Sequence, residues 1–157
     1  MKYIIVVLII VIAGCSSKSV DYSFKGDTEI VDGVSYTLAL NKYNVRIGES
    51  VKIFFTVKNL LDTTVTLNLA GAPEFHFDVL RDEEAIYYEP SVEAPLIWSM
   101  NLTAGQEKRY NGAWKQTAFT AGNPSPQAQV PAGSYKIRAY LSGYQLPKLE
   151  TTVVINK

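Results

Sequence analysis

VPAGSYKIRAYL, residues 130–141, is the stretch on which the reading of the whole chain turns. Pro131 presets φ for a turn, and Gly133 supplies a backbone conformation that a Cβ would hinder. Tyr135, Ile137, Ala139 and Leu141 then alternate with Lys136, Arg138 and Tyr140, the period of two that marks a half-buried β-strand. Tyr135 comes directly after the turn, so its ring can be buried while its hydroxyl reaches back to the backbone.

The same period recurs on both sides. VSYTLAL (34–40) puts Val34, Tyr36, Leu38 and Leu40 on one face, and SVKIFFTVKN (50–59) does so with Val51, Ile53, Phe55 and Val57 against Lys52 and Lys58. TTVTLNLA (63–70) repeats it with Val65, Leu67 and Leu69, and Phe75, Phe77 and Val79 alternate with His76 and Asp78. A short strand at 86–88 is closed by Pro90, Trp98 and Leu102 continue the core or cover its edge, and EKRYNGAW (107–114) brings Tyr110 and Trp114. LETTVVIN (149–156) closes the domain. Gly48-Glu49-Ser50, Gly71-Ala72-Pro73 and TAGQ (103–106) break the runs. No stretch repeats apolar residues at helical spacing. The pattern predicts an all-β chain, an immunoglobulin-like antiparallel β-sandwich of seven or eight strands over residues 34–157. About 120 residues bury a sufficient core without disulfides.

The N-terminus reads differently. Lys2 is followed by an apolar run from Tyr3 to Ala13, shorter than the roughly 20 residues a spanning helix needs, as in a secretory signal peptide. Ile12-Ala13-Gly14-Cys15 resembles the lipobox of bacterial lipoproteins. That resemblance implies cleavage after Gly14, removal of residues 1–14 and acylation of Cys15, the only cysteine in the chain. Each buried methylene contributes about 0.8 kcal/mol, so two or three acyl chains anchor firmly. The membrane is thus one expected partner and the cell envelope the expected address. Ser16 after the cysteine favours the outer membrane in a two-membrane bacterium. Residues 15–33, polar and aperiodic, read as the lipidated cysteine and a flexible tether.

Charge and residue types narrow the chemistry. Lys plus Arg and Asp plus Glu each total 15, and loss of Lys2 leaves 14 against 15, a net charge of −1. With no basic patch, nucleic acid is not an expected partner. The one histidine, His76, is expected on the outer face of its strand, with no second imidazole or thiol to build a triad or a zinc site. Asp82, Glu83 and Glu84 lack the spacing of a calcium loop and read as a solvated turn. The expectation is a non-enzyme with neither metal nor cofactor.

Four pieces taken in order resemble the BsuPI intracellular proteinase inhibitor family: FHFDVLRD (75–82), TAGQEKRYNGAW (103–114), a loop of variable length, and VPAGSYKIRAYL. The matching positions are Asp78, Asp82, Gly105, Trp114, Pro131, Gly133 and Tyr135. The resemblance spans roughly residues 48–141 and departs from the family at AIYYEPS (85–91), where Tyr87 or Tyr88 stands for a tryptophan. It implies a sandwich that binds a protein, with proteinase inhibition as the specific form. Trp114, Gly133 and Tyr135 read as scaffold, so binding is expected in loops. KQTAFTAGNPSPQAQV (115–130) is the first candidate, an extended, nearly uncharged loop with Phe119, Asn123, Pro124, Pro126 and Gln127 as contact residues. EEAIYYEPSVEAPLIW (83–98) is the second, rich in aromatics. A structural assembly or adhesion module with pairing sheet edges, and a carbohydrate-binding module, are the other readings the sequence leaves open.

Overall fold

The computed structural model describes residues 26–90, 94–120, 123–143 and 145–157; Cys15, the lipobox and the tether as far as Lys25 lie outside them. Thirteen strands and no helix are found among the described residues: β1 (Asp27–Val31), β2 (Val34–Leu40), β3 (Asn44–Arg46), β4 (Val51–Asn59), β5 (Val65–Ala72), β6 (Phe75–Arg81), β7 (Glu84–Glu89), β8 (Ala94–Leu102), β9 (Glu107–Trp114), β10 (Thr117–Thr120), β11 (Asn123–Gln129), β12 (Gly133–Leu141) and β13 (Lys148–Asn156). One sheet runs β1-β2-β4-β9 and the other β3-β13-β12-β6-β7, with β5-β8 and β10-β11 as separate two-stranded ribbons.

The alternation read from the sequence is the alternation that packs. Val34, Tyr36, Leu38, Leu40, Val51, Ile53, Phe55 and Val57 from the first sheet meet Phe77, Val79, Tyr135, Ile137, Ala139 and Leu141 from the second in one core. Phe55 of β4 stacks on Phe75 of β6 with ring centroids 5.7 Å apart, and Phe75 stacks on Tyr110 of β9 at 5.4 Å. Each such side chain contributes about 1.5–3 kcal/mol by leaving water. This is the β-sandwich the period of two predicts.

The count and the outer faces need correction. Seven or eight strands become thirteen, because the segments outside the core pattern also pair: Asp27–Val31, inside the stretch read as tether, forms a hairpin with β2. Pairing is antiparallel except where β3 leaves the first sheet and runs parallel to β13. His76 does lie on the face of β6 opposite Phe75 and Phe77, yet it is only 2% exposed. Its ring stacks on Tyr140 across the β6–β12 register, with centroids 5.5 Å apart. Its Nε2 lies 2.8 Å from the Pro73 carbonyl, so that nitrogen carries the proton. A turn folded over the sheet thus covers a position that period two alone leaves in solvent.

The opening stretch is a hinge between ribbon and sheet. Tyr135 Oη donates to the Pro131 carbonyl at 2.7 Å, forming a tyrosine corner. The Tyr135 ring meets the Trp114 indole at 5.3 Å, joining β12 to β9 across the core. Trp114 is fully buried, and its Nε1 donates to the Thr117 carbonyl at 2.8 Å. Tyr135→Phe removes only the hydroxyl and leaves the Pro131 carbonyl unpaired. It is expected to lower unfolding free energy by about 1 kcal/mol, measured as a lower urea midpoint at unchanged slope.

Candidate functional site

Sheet edges are where a sandwich is chemically unfinished, and β9 is such an edge: it pairs with β4 and with no other described strand. Which of its backbone groups are free follows from the ladder. Asn41 N–H donates to the Lys52 carbonyl at 3.0 Å, and Lys52 N–H to Asn41 Oδ1 at 2.7 Å, so the backbone groups of Lys52 point toward β2. Asn59 N–H donates to the Gln106 carbonyl at 2.9 Å, so the odd-numbered residues of β4 point toward β9. Their register partners Lys108, Tyr110 and Gly112 point back at β4. By alternation, the N–H and C=O groups of Glu107, Arg109, Asn111 and Ala113 point outward from the free edge. All four residues are exposed.

Behind this edge a cleft of about 570 Å³ opens between the two sheets, lined by Phe75, Phe77, Tyr87, Glu89, Gly112 and Lys115 among others. Gly112 makes the space. A Cβ built on it would lie 2.7 Å from Phe77 Cε1, far inside van der Waals contact, so the ring of Phe77 occupies the volume a side chain would need. The floor is aromatic: Phe77 stacks on Tyr87 at 5.8 Å, and Tyr87 on Phe119 at 5.4 Å. Tyr87 Oη donates to Glu89 Oε2 at 2.8 Å. Burial, and then the neighbouring Glu89 carboxylate, push the Tyr87 hydroxyl up to about 12, so it stays a neutral donor at physiological pH.

At the opposite end of β9 a charge faces inward. Lys108 points inward, pairs with Glu74 at 2.5 Å, and lies over the rings of Trp98 and Tyr110 at 5.9 and 5.4 Å. Burial, and then the hydrogen bond to Glu74, raise the Tyr110 hydroxyl well above the usual phenol range. An inward-pointing charge discourages pairing where it is free, but here the ammonium is held by Glu74. The stretch from Arg109 to Ala113 has no inward-pointing charge.

The residues expected as a binding loop fall beside this cleft. Within 115–130, β10 and β11 pair antiparallel in place of the open loop the sequence suggests, with Phe119 opposite Pro126 and Thr120 opposite Asn123. Register shifts on either side of Phe119 accommodate the prolines, which a two-stranded ribbon tolerates because both strands are edges. Phe119 is half-buried against Tyr87 and also meets Tyr88 at 4.5 Å. The side chains of Asn123, Pro124, Pro126 and Gln127 lie outside the described residues.

Of the motif residues, Gly105 turns the chain between β8 and β9 at φ +68°, with Gln106 N–H bonded to the Thr103 carbonyl at 3.0 Å. Asp78 sits on the outer face of β6, where burial raises its carboxyl above the usual range against the opposing pull of Arg138 and Lys148. Asp82 and Glu83 form the β6–β7 turn with positive φ, and Glu83 pairs with Lys136 at 2.6 Å. No cluster of His, Cys, Asp or Glu capable of holding a metal occurs among the described residues.

Two buried amides escaped the sequence reading. Gln116 Nε2 donates to the Arg46 and Glu49 carbonyls at 2.8 and 2.7 Å, and its Oε1 accepts from Gly48 N–H at 2.8 Å. Asn59 Nδ2 reaches the Thr63, Leu102 and Thr103 carbonyls at 2.7, 2.9 and 3.0 Å. Both residues are 0% exposed and pin the turns at the two ends of β4. A single polar residue at a strand end or in a turn gives no periodic signal by which to find it.

No family model and no curated protein matches the chain. Among solved structures it is similar to a β-glucosidase from Listeria innocua (14% identity, TM-score 0.43, 85% of this chain and 16% of that one). It is also similar to a β-glucosidase from Erythrobacter marinus (14%, 0.47, 82% and 16%) and to the alkylpurine DNA glycosylase AlkC from Pseudomonas fluorescens (12%, 0.45, 80% and 31%). The chain therefore spans about a sixth to a third of the proteins it resembles in shape.

Gly112→Ala is expected to destabilise the domain by about 1–3 kcal/mol through overpacking against Phe77. Combining it with Phe77→Leu recovers most of that loss, because the shorter side chain vacates the contact. Urea denaturation of the two single variants and the double variant reads out the coupling.

Proposed function

We propose that this chain is a lipid-anchored, non-catalytic protein-binding module of the cell envelope, in which Cys15 carries the anchor and the sandwich engages a partner. In a two-membrane bacterium its address is the outer membrane. The observation that carries the reading is the juxtaposition of a free strand edge, Arg109 to Ala113, with an aromatic cleft directly behind it. An extended segment of another protein can hydrogen-bond to such an edge and set alternate side chains against the cleft. Main-chain pairing supplies affinity and the cleft supplies selectivity.

The BsuPI resemblance gives the specific form, inhibition of a proteinase. It is supported by the position of the β10–β11 hairpin, whose Phe119 packs on the Tyr87 that lines the cleft. Edge and hairpin thus form one continuous surface for a bound chain.

The test uses the domain from Ser16 onward as bait, against envelope extract and a panel of secreted serine proteases. Two variants accompany it, Asn111→Pro and one with residues 119–127 replaced by Gly and Ser. The Asn111 N–H points away from β4, so proline there leaves the native ladder intact while blocking strand addition. Asn111→Pro is expected to reduce capture tenfold or more at unchanged thermal stability. A retained protease that is also lost from the hairpin variant identifies inhibition; equal capture by wild type and Asn111→Pro rejects the edge as the binding site.

Anchoring has its own check. Cys15→Ser is expected to abolish incorporation of labelled palmitate into the full chain expressed in a bacterium and to release it from the membrane fraction. Labelling that persists in the variant rejects Cys15 as the acylated residue.

A further inference from the structure

We propose that the strand that completes the β9 edge is β9 of a second copy of this chain, an inference that rests on the reading of that edge as a binding site. Two-fold pairing of an edge with itself is isologous, so the sequence of β9 must complement its own reverse. Outward-pointing backbone groups belong to Glu107, Arg109, Asn111 and Ala113, so only registers that set odd residues opposite odd residues form hydrogen bonds.

Charge then selects among those registers. Centring the two-fold on Asn111 sets Glu107 opposite Lys115 of the second copy, Arg109 opposite Ala113, and Asn111 opposite Asn111. Both Glu107–Lys115 pairs are of opposite charge, each arginine has a small neighbour, and the two asparagine amides can bond to each other. Centring on Arg109 stacks arginine on arginine. Centring on Gly112 sets Arg109 against Lys115, again a like-charge pair, which destabilises a cross-strand contact. Centring on Tyr110 leaves Glu107 opposite Ala113 and no charge matched. Centring on Lys108 sets Glu107 against Arg109 but overlaps β9 over three residues only, so the register about Asn111 is the one that pairs charges along the length of the strand.

The inner face fits the same register. Tyr110, whose ring is stacked on Phe75 of its own chain, comes opposite Gly112 of the second copy, whose side-chain place is taken by its own Phe77, so neither adds bulk at the seam. Lys108, which would repel a passing strand if free, already has its ammonium taken up by Glu74. Glu107, Arg109, Asn111, Ala113 and Lys115 are all exposed in the single chain, and the own-chain contact this register touches is the surface Glu107–Arg109 ion pair, whose carboxylate would be shared with Lys115 of the second copy.

The experiment uses the full chain in detergent micelles. Glu107→Lys and Lys115→Glu, each alone, convert two attractive pairs into two repulsive ones and are expected to weaken self-association about tenfold. The double variant restores the pairs with signs exchanged and returns association to near the wild-type value. Oxidative cross-linking supplies the register: Asn111→Cys brings two thiols onto the axis at a Cα separation of about 5.5 Å and dimerises several-fold more than Arg109→Cys or Ala113→Cys. The wild-type chain, with only Cys15, sets the baseline.

A wild-type chain that sediments as a monomer at every concentration, or a double variant no better than the single ones, overturns the proposal. If Asn111→Pro nevertheless abolishes capture of a different protein, the binding reading stands and self-pairing alone fails. If Asn111→Pro alters neither, both fail.

Discussion

The indole of Trp114 is the point at which the parts of this molecule are tied together. Its backbone pairs with Val51 at the end of the first sheet, its ring meets Tyr135 of the second, and its N–H holds the start of the β10–β11 hairpin through Thr117. One buried side chain therefore fixes the sheet separation, the entry into the hairpin and the placement of the tyrosine corner. Because close packing leaves few voids, the positions of Phe77 and Tyr87 follow from where this corner sits, and with them the shape of the cleft.

Most of the sandwich was legible because burial on one face imposes a period of two. The residues expected to face inward on VSYTLAL, SVKIFFTVKN and SYKIRAYL are the residues that form the core. The errors share a cause. Asp27–Val31 is exposed at four of five positions and β8 at six of nine, so neither carries the alternation that betrays a strand. They pair because a neighbouring strand offers hydrogen bonds, a long-range fact that local pattern does not encode. His76 lies on the outer face as the alternation requires, and only its burial goes unread, since period two separates the faces of a strand but is silent about what covers each.

The candidate site was less legible than the fold. Aromatic residues at 87, 88 and 119 stood out by type, and the structure brings them together. The free edge did not stand out at all. EKRYNGAW reads the same whether β9 lies inside a sheet or at its margin, and only the strand order decides. Gly112 draws no reading from the sequence; only the ring of Phe77, standing where its Cβ would be, gives the reason for it.

The strand order also has a geometric consequence. The chain enters the first sheet at β1, at the margin opposite β9, three inter-strand spacings or about 14 Å away. On the anchoring proposed at Cys15, attachment would be at the far side from the open edge, leaving the edge to face outward into its surroundings while the mooring faces the lipid. Ten residues, 16–25, span at most about 35 Å, so on that anchoring they would cap how far the sandwich can travel from the bilayer. Two sandwiches joined at β9 would form a plank eight strands wide, with its two moorings at opposite ends about 34 Å apart. On that anchoring, two moorings would restrict how far such a plank can tilt, where a single mooring limits only its distance from the membrane.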